Sequence, residues 1–206
     1  MVENKQIEKL NYINKMINHC ITYKELQMLK TLIGTKLVCF KSQKKDSWNR
    51  IFGNIAIITD KIEIELRNEL TDIEYFGDSE DVSKFYVNQI SASKPFCLMI
   101  EDEVFKTSVN EIITDIIIVE DEISIKDSSG NPIYEITMDD AVIIKTDNST
   151  YAISREWSLE EELIFIKTSD YKKDIYSIEQ IISEWSDEDE NFIATCNRKE
   201  ISLKDL

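Results

Sequence analysis

The 206-residue chain holds only four glycines, two prolines and one histidine. Each scarcity excludes something. Glycines as dispersed as Gly34, Gly53, Gly77 and Gly130 write no dinucleotide fingerprint, Walker loop or nucleophile elbow, which removes the glycine-rich phosphate cradles. The single imidazole, His19, stands next to Cys20. Neighbours on a helix do not face each other, so the two form no nucleophile pair locally. The surrounding pattern places His19 on the polar side of an amphipathic helix. Cys20, Cys39, Cys97 and Cys196 show no CxxC and no metal-ligand spacing, and are expected as reduced, mostly buried packing groups. No apolar run reaches the length of a membrane-spanning helix; Ile112 to Val119 is interrupted by Thr114 and Asp115, and the N-terminus lacks an apolar signal core. A cytoplasmic protein is the expectation.

What the chain has in excess is negative charge. Forty acidic side chains against twenty-four basic ones give a formal charge of −16. Such a surface repels nucleic acid and anionic membrane, both of which need basic side chains to bind them. It steers a basic protein partner inward instead. Solubility alone is the competing explanation. A hydrophobic share of 42% supplies a real core and excludes a disordered chain.

Carboxylate clusters occur at 101–103, 120–122, 139–140, 160–162 and 187–190. Paired carboxylates can hydrolyse glycosides or hold a divalent metal. With so many, no pair singles itself out, and Asp127-Ser128-Ser129-Gly130-Asn131 lacks the ligand alternation of an EF-hand. No catalytic residue, metal site or cofactor is assigned.

The organisation reads as α+β. Ile7, Leu10, Ile13, Ile17 and Cys20 recur at helical spacing. Thr22 to Glu25 is a capping box that opens a second helix ending near Gly34. Thereafter the chain reads as strands on predominantly antiparallel sheet, with a further capping box at Ser177 opening a short helix to Trp185. The polar turn Asp127 to Asn131 predicts a hairpin. Ile57-Ile58-Thr59-Asp60 and Ile144-Lys145-Thr146-Asp147 open similar patterns, which suggests an internal duplication of a small β-rich module. On that reading residues 1–90 carry the helical hairpin and first module, and 91–206 the second with its short helix; one continuous domain is the alternative.

Two function classes fit. One is an acidic binding protein of the inhibitor or immunity type that covers a basic protein; the other is a structural or regulatory β-rich module, with a homodimer left open. An enzyme working through carboxylates and a metal has no motif behind it. If a partner is bound, the expected contacts are two aromatics beside acidic clusters: Trp157 with Glu160, Glu161 and Glu162, and Trp185 with Asp187, Glu188, Asp189 and Glu190. Of the three tryptophans, Trp48 included, at least two are expected to pack on the core.

Overall fold

In the computed structural model, described for residues 15–97, 104–186 and 192–206, the elements in order are β1 (Lys15–His19), α1 (Tyr23–Lys30), β2 (Lys36–Ser42), β3 (Arg50–Phe52), β4 (Asn54–Thr59), β5 (Glu63–Tyr75), β6 (Asp78–Gln89), β7 (Phe105–Asp127), β8 (Pro132–Thr146), β9 (Thr150–Arg155), β10 (Glu162–Thr168), α2 (Tyr171–Asp174), α3 (Ile178–Trp185) and β11 (Phe192–Ser202). Strands take 61% of the described residues and helices 11%. The expected α+β arrangement, with two N-terminal helices on the sheet, is therefore overturned. Residues before Lys15 lie outside the described set, but Lys15–His19 is a strand, paired in parallel with Tyr134–Met138 of β8. Ile13 and Ile17 are four residues apart, a spacing that serves a strand's period of two as well as a helical turn. Along β1, Ile17 is half-buried and His19 buried between exposed Met16 and Asn18, so the period is two.

The Thr22 capping box is formed, with the hydroxyl accepting from Glu25 N and the glutamate accepting from Thr22 N. Ser177 and Gln180 repeat it at the head of α3. Gly34, at φ 81°, turns the chain after α1 and donates its N–H to Ile113 O.

Eleven strands form a sheet of order β3-β10-β9-β8-β7-β2-β4-β5-β6, with β1 added to β8 and β11 to β7. All pairings but β1–β8 are antiparallel. One end of that order, β3, is joined to an interior strand, β4, inside one stretch of chain. β3 pairs with β10, and one residue later β4 pairs with β2 and β5. Gly53, at φ 66°, makes the switch: its N–H goes to Glu161 O and its C=O accepts from Asn68 N. The segment 50–59, β2, β7, β8, β9 and β10 thus close a hydrogen-bonded ring. Phe40, Tyr151 and Phe165 meet in its core, with ring centroids 4.7 and 5.1 Å from Phe40. Closure leaves the ring itself without an open edge, while β6 stays the outer strand of the order. Beyond Gly53 the β5–β6 hairpin leaves the ring. It reaches over a second core built by Ile123, Ile125, Ile133, Ile136 and Met138 with Ile181 and Trp185 of α3.

The duplication expected from the sequence does not divide the sheet into two modules. The two Thr-Asp turns are alike. Thr59 N donates to Ile62 O and Thr146 N to Ser149 O; Asp60 Oδ1 accepts from Lys36 N and Asp147 Oδ1 from Ile112 N, where Lys36 and Ile112 are partners across β2–β7. Past those turns one half continues into β6 and the other into α2 and α3.

The cysteines correct a further expectation. All four are free, but only Cys39 is buried; Cys20 and Cys196 are half-buried and Cys97 is exposed. Residues 96–97, read as strand, lie in a loop after Pro95, and residues 98–100 of that expected strand lie outside the described set. Cys97 should therefore be the thiol modified first by a maleimide on the native protein, and Cys97→Ser should remove that fast phase. A native protein that labels no faster than at its buried thiols would contradict the placement.

Candidate functional site

Among the described residues, the cavity that brings aromatic and charged groups together lies where the β5–β6 hairpin meets α3. Its volume is about 380 Å³, and Tyr75, Phe76, Glu80, Val82, Leu159, Glu184, Trp185, Ser186 and Phe192 line it. Among the described residues no basic side chain is in that lining. Two more capacious depressions, of about 520 and 610 Å³, converge no comparable set of aromatic and acidic groups.

The hairpin wall is built by an unusual turn. Tyr75 pairs with Asp78, leaving Phe76 and Gly77 as a two-residue connection with φ 53° and 92°. Positive φ at both positions is the primed turn that suits hairpin twist, and it normally selects Asn-Gly. Phenylalanine there carries left-handed strain. The turn is held by Phe76 N donating to Tyr134 Oη at 2.6 Å and Gly77 N to Glu74 Oε1 at 2.9 Å. In return the Phe76 ring lies 4.4 Å from Phe192 and 4.9 Å from Tyr134, while Tyr75 meets Trp185 edge-on at 5.6 Å. Just behind, Asp72 and Asp81 face each other across β5–β6. A hydrogen bond between them raises the Asp81 carboxyl above its ordinary range. Like charges directly opposite in a sheet are unfavourable.

The α3 wall carries Glu184 and Trp185. Glu184 accepts from Ser158 N at 2.9 Å and from Ser158 Oγ at 3.1 Å. Burial pushes its carboxyl up to about 7, against those two hydrogen bonds and the Arg155 guanidinium, with Asp140 adding to the rise. The Trp185 indole is 7% exposed and its Nε1–H has no partner among the described residues.

Behind Glu184 lies a buried polar network. Arg155, 2% exposed, donates through Nη1 to Ser83 O at 3.3 Å, while its Nε and Nη2 have no partner among the described residues. Asp139 and Asp140 are both buried, because a register shift opposite Val119 and Glu120 makes Asp140 the extra residue of a bulge in β8. Bulges re-aim side chains in this way. Burial lifts each carboxyl to about 7. Arg198 of β11 reaches in to pair with Asp121 at 2.7 and 2.8 Å and with Asp140 at 3.1 Å. Cys20, Glu120 and Asp139 place ligand-type atoms within 4.8 Å of one another. Their roles are already taken: Cys20 Sγ donates to Glu120 Oε2, and Asp139 Oδ2 accepts from Ile21 N. Burial, with Asp139 and Glu120 adjacent, holds the thiol protonated. His19, expected on a surface, is buried on β1 with Nε2 donating to Val82 O at 3.1 Å, and burial lowers its pKa.

The site residues read from the sequence are distributed as follows. Trp185 lines the cavity and is packed in the second core. Trp157, 43% exposed, and Trp48, 73% exposed, are not core residues, so one tryptophan packs inside rather than two. Glu160, Glu161 and Glu162 do not line the cavity. Glu160 O accepts from Asn68 Nδ2, Glu161 O from Gly53 N, and Glu162 opens β10 opposite Phe52. Asp187, Glu188, Asp189 and Glu190 lie outside the described residues. The two tryptophan neighbourhoods nevertheless touch, through the Ser158–Glu184 bonds. Tyr75, Phe76, Glu80, Glu184 and Phe192 were not singled out by sequence reasoning. The one available signal was an aromatic at the first central position of a hairpin turn before Gly77.

Among the described residues no helix is long and apolar enough to cross a membrane. The chain matches no protein-family model, no curated protein and no solved structure.

Proposed function

We propose that this chain is a binding protein that captures a basic protein partner through the hairpin–α3 face. The observation that carries the reading is the cavity itself: aromatic walls joined to the carboxylates of Glu80 and Glu184, without a lining cation among the described residues, in a chain of charge −16. Buried aromatic anchors set how long a complex lasts, and surrounding charge sets how fast it forms. The opposed Asp72–Asp81 pair adds to the argument, because an approaching cation relieves its repulsion. The inhibitor or immunity class of binding protein fits this reading.

The test is a kinetic binding assay against an arginine- and lysine-rich peptide, a glutamate-rich peptide and duplex DNA, at about 20 and about 300 mM salt, a range over which the screening length shortens severalfold. Only the basic peptide is expected to bind, with an association rate that falls as salt rises. Equal binding of the acidic peptide, or an on-rate indifferent to salt, overturns the proposal.

A further inference from the structure

Building on that reading, we infer that the cavity is a socket for one arginine side chain of the basic partner, its guanidinium held by the carboxylates of Glu80 and Glu184 against the aromatic wall of Phe76, Trp185 and Phe192. Three features of the cavity converge on this occupant. A volume of about 380 Å³ is near the lower end for ligand sites, and suits a single long side chain better than a helix or strand. The lining pairs aromatic rings with carboxylates, and a cation is attracted within about 6 Å of an aromatic centroid. Phe76, Trp185 and Phe192 all line the cavity, with 40° between the ring planes of Phe76 and Phe192.

Arginine fits this lining better than lysine. Its guanidinium is planar, stacks on rings, and offers a fork of donors that a carboxylate accepts two at a time, whereas an ammonium is a compact and strongly hydrated charge. Glu184 is fixed by Ser158 and so arrives oriented, with little side-chain freedom left to lose on binding. Phe76 is kept at φ 53° although asparagine would relax the turn, and its ring packs on Phe192 and Tyr134 at the cavity wall.

The groups that face Glu184 set how acidity affects the socket. They are Ser158 after β9, Arg155 on β9, Asp140 on β8 and Tyr176 before α3, with Glu80 across the cavity. Glu184 gains its charge as pH rises through about 7, so arginine should be held more tightly on the alkaline side.

The experiment uses the full chain with Trp48→Phe and Trp157→Phe, leaving Trp185 as the fluorescent reporter. It is titrated with N-acetylated, C-amidated Gly-Gly-X-Gly-Gly, where X is arginine, lysine or citrulline. Arginine is expected to bind several-fold more tightly than lysine, and neutral citrulline not at all. Glu184→Gln should weaken the arginine peptide about tenfold and flatten its rise in affinity between about pH 6 and 8. Glu80→Gln, at an exposed position that carries no core packing, should weaken it several-fold, so the test stands even if the Glu184 variant misfolds. Equal affinity for arginine and citrulline, or no loss in either variant while the arginine- and lysine-rich peptide still binds, overturns the socket and leaves the basic-partner reading standing. Failure of every basic probe overturns both.

Discussion

Arg198→Met should be among the most destabilising single substitutions in this protein, lowering unfolding free energy by about 3–5 kcal/mol, the usual cost of removing one partner from a buried ion pair. Among the described residues Arg198 is the only cation within ion-pair distance of Asp121 and Asp140, and those carboxylates are fully buried in the middle of the sheet. Its Nη1 also donates to Tyr176 O at 2.6 Å, tying the segment before α3 to β11. Methionine keeps most of the stem and loses all three attachments. The loss should depend on pH with a definite sign. Asp140, already lifted to about 7 by burial, can take up a proton in the variant instead of standing as an unpaired charge. More protons bound in the native than in the unfolded state means stability that falls as pH rises between the unfolded carboxylate range near 4 and about 7. Urea denaturation of both proteins at pH 5.5 and 8 should thus show the larger deficit at pH 8. A deficit below about 1 kcal/mol at both values would mean the pair is as weak as an exposed one.

Phe76→Asn should separate stability from binding. Asparagine removes left-handed strain of about 1–2 kcal/mol and suits the first central position of the turn. Against this stand the lost ring contacts with Tyr75, Tyr134 and Phe192, each worth about 0.5–1.5 kcal/mol beyond the area buried. Strain relief offsets part of that loss, so stability should fall by about 1–3 kcal/mol. Affinity for the arginine peptide should fall at least tenfold, because the ring forms one wall of the socket. Calorimetry and peptide titration on one preparation check both halves. A larger stability loss would make Phe76 an ordinary core residue; unchanged affinity would remove it from the socket.

Much of the sheet was legible. Ile55 to Ile58 and Ala141 to Ile144 are apolar runs that become fully buried in β4 and β8, and the Asp127–Asn131 turn joins β7 to β8 through Asp127 Oδ1, which accepts from Ser129 N and Asn131 N. Two kinds of feature were not. A short apolar spacing cannot tell a strand from a helix, and β1 settles as a strand only because β8 offers it an edge. Pairings such as Ile51 with Leu163 join residues more than a hundred positions apart, and nothing local announces them. The site was hidden for related reasons. Asp139-Asp140 looked like one acidic pair among many, although its setting between Met138 and Ala141 in an apolar stretch was the sign of burial. Tyr75, Phe76, Trp185 and Phe192 converge only through tertiary packing.

The Gly53 switch also bears on how the chain is made. β2, β4, β5 and β6 can pair with one another as soon as residue 89 has been synthesised, but the partner of β3 begins at residue 162. Until then Arg50–Phe52 and the Gly53 amide have no strand to receive them. The slow step of maturation should be the joining of β10 to a waiting N-terminal half, late in synthesis and with a large loop to close. During that interval the strand edge that the finished ring conceals is open to other nascent chains.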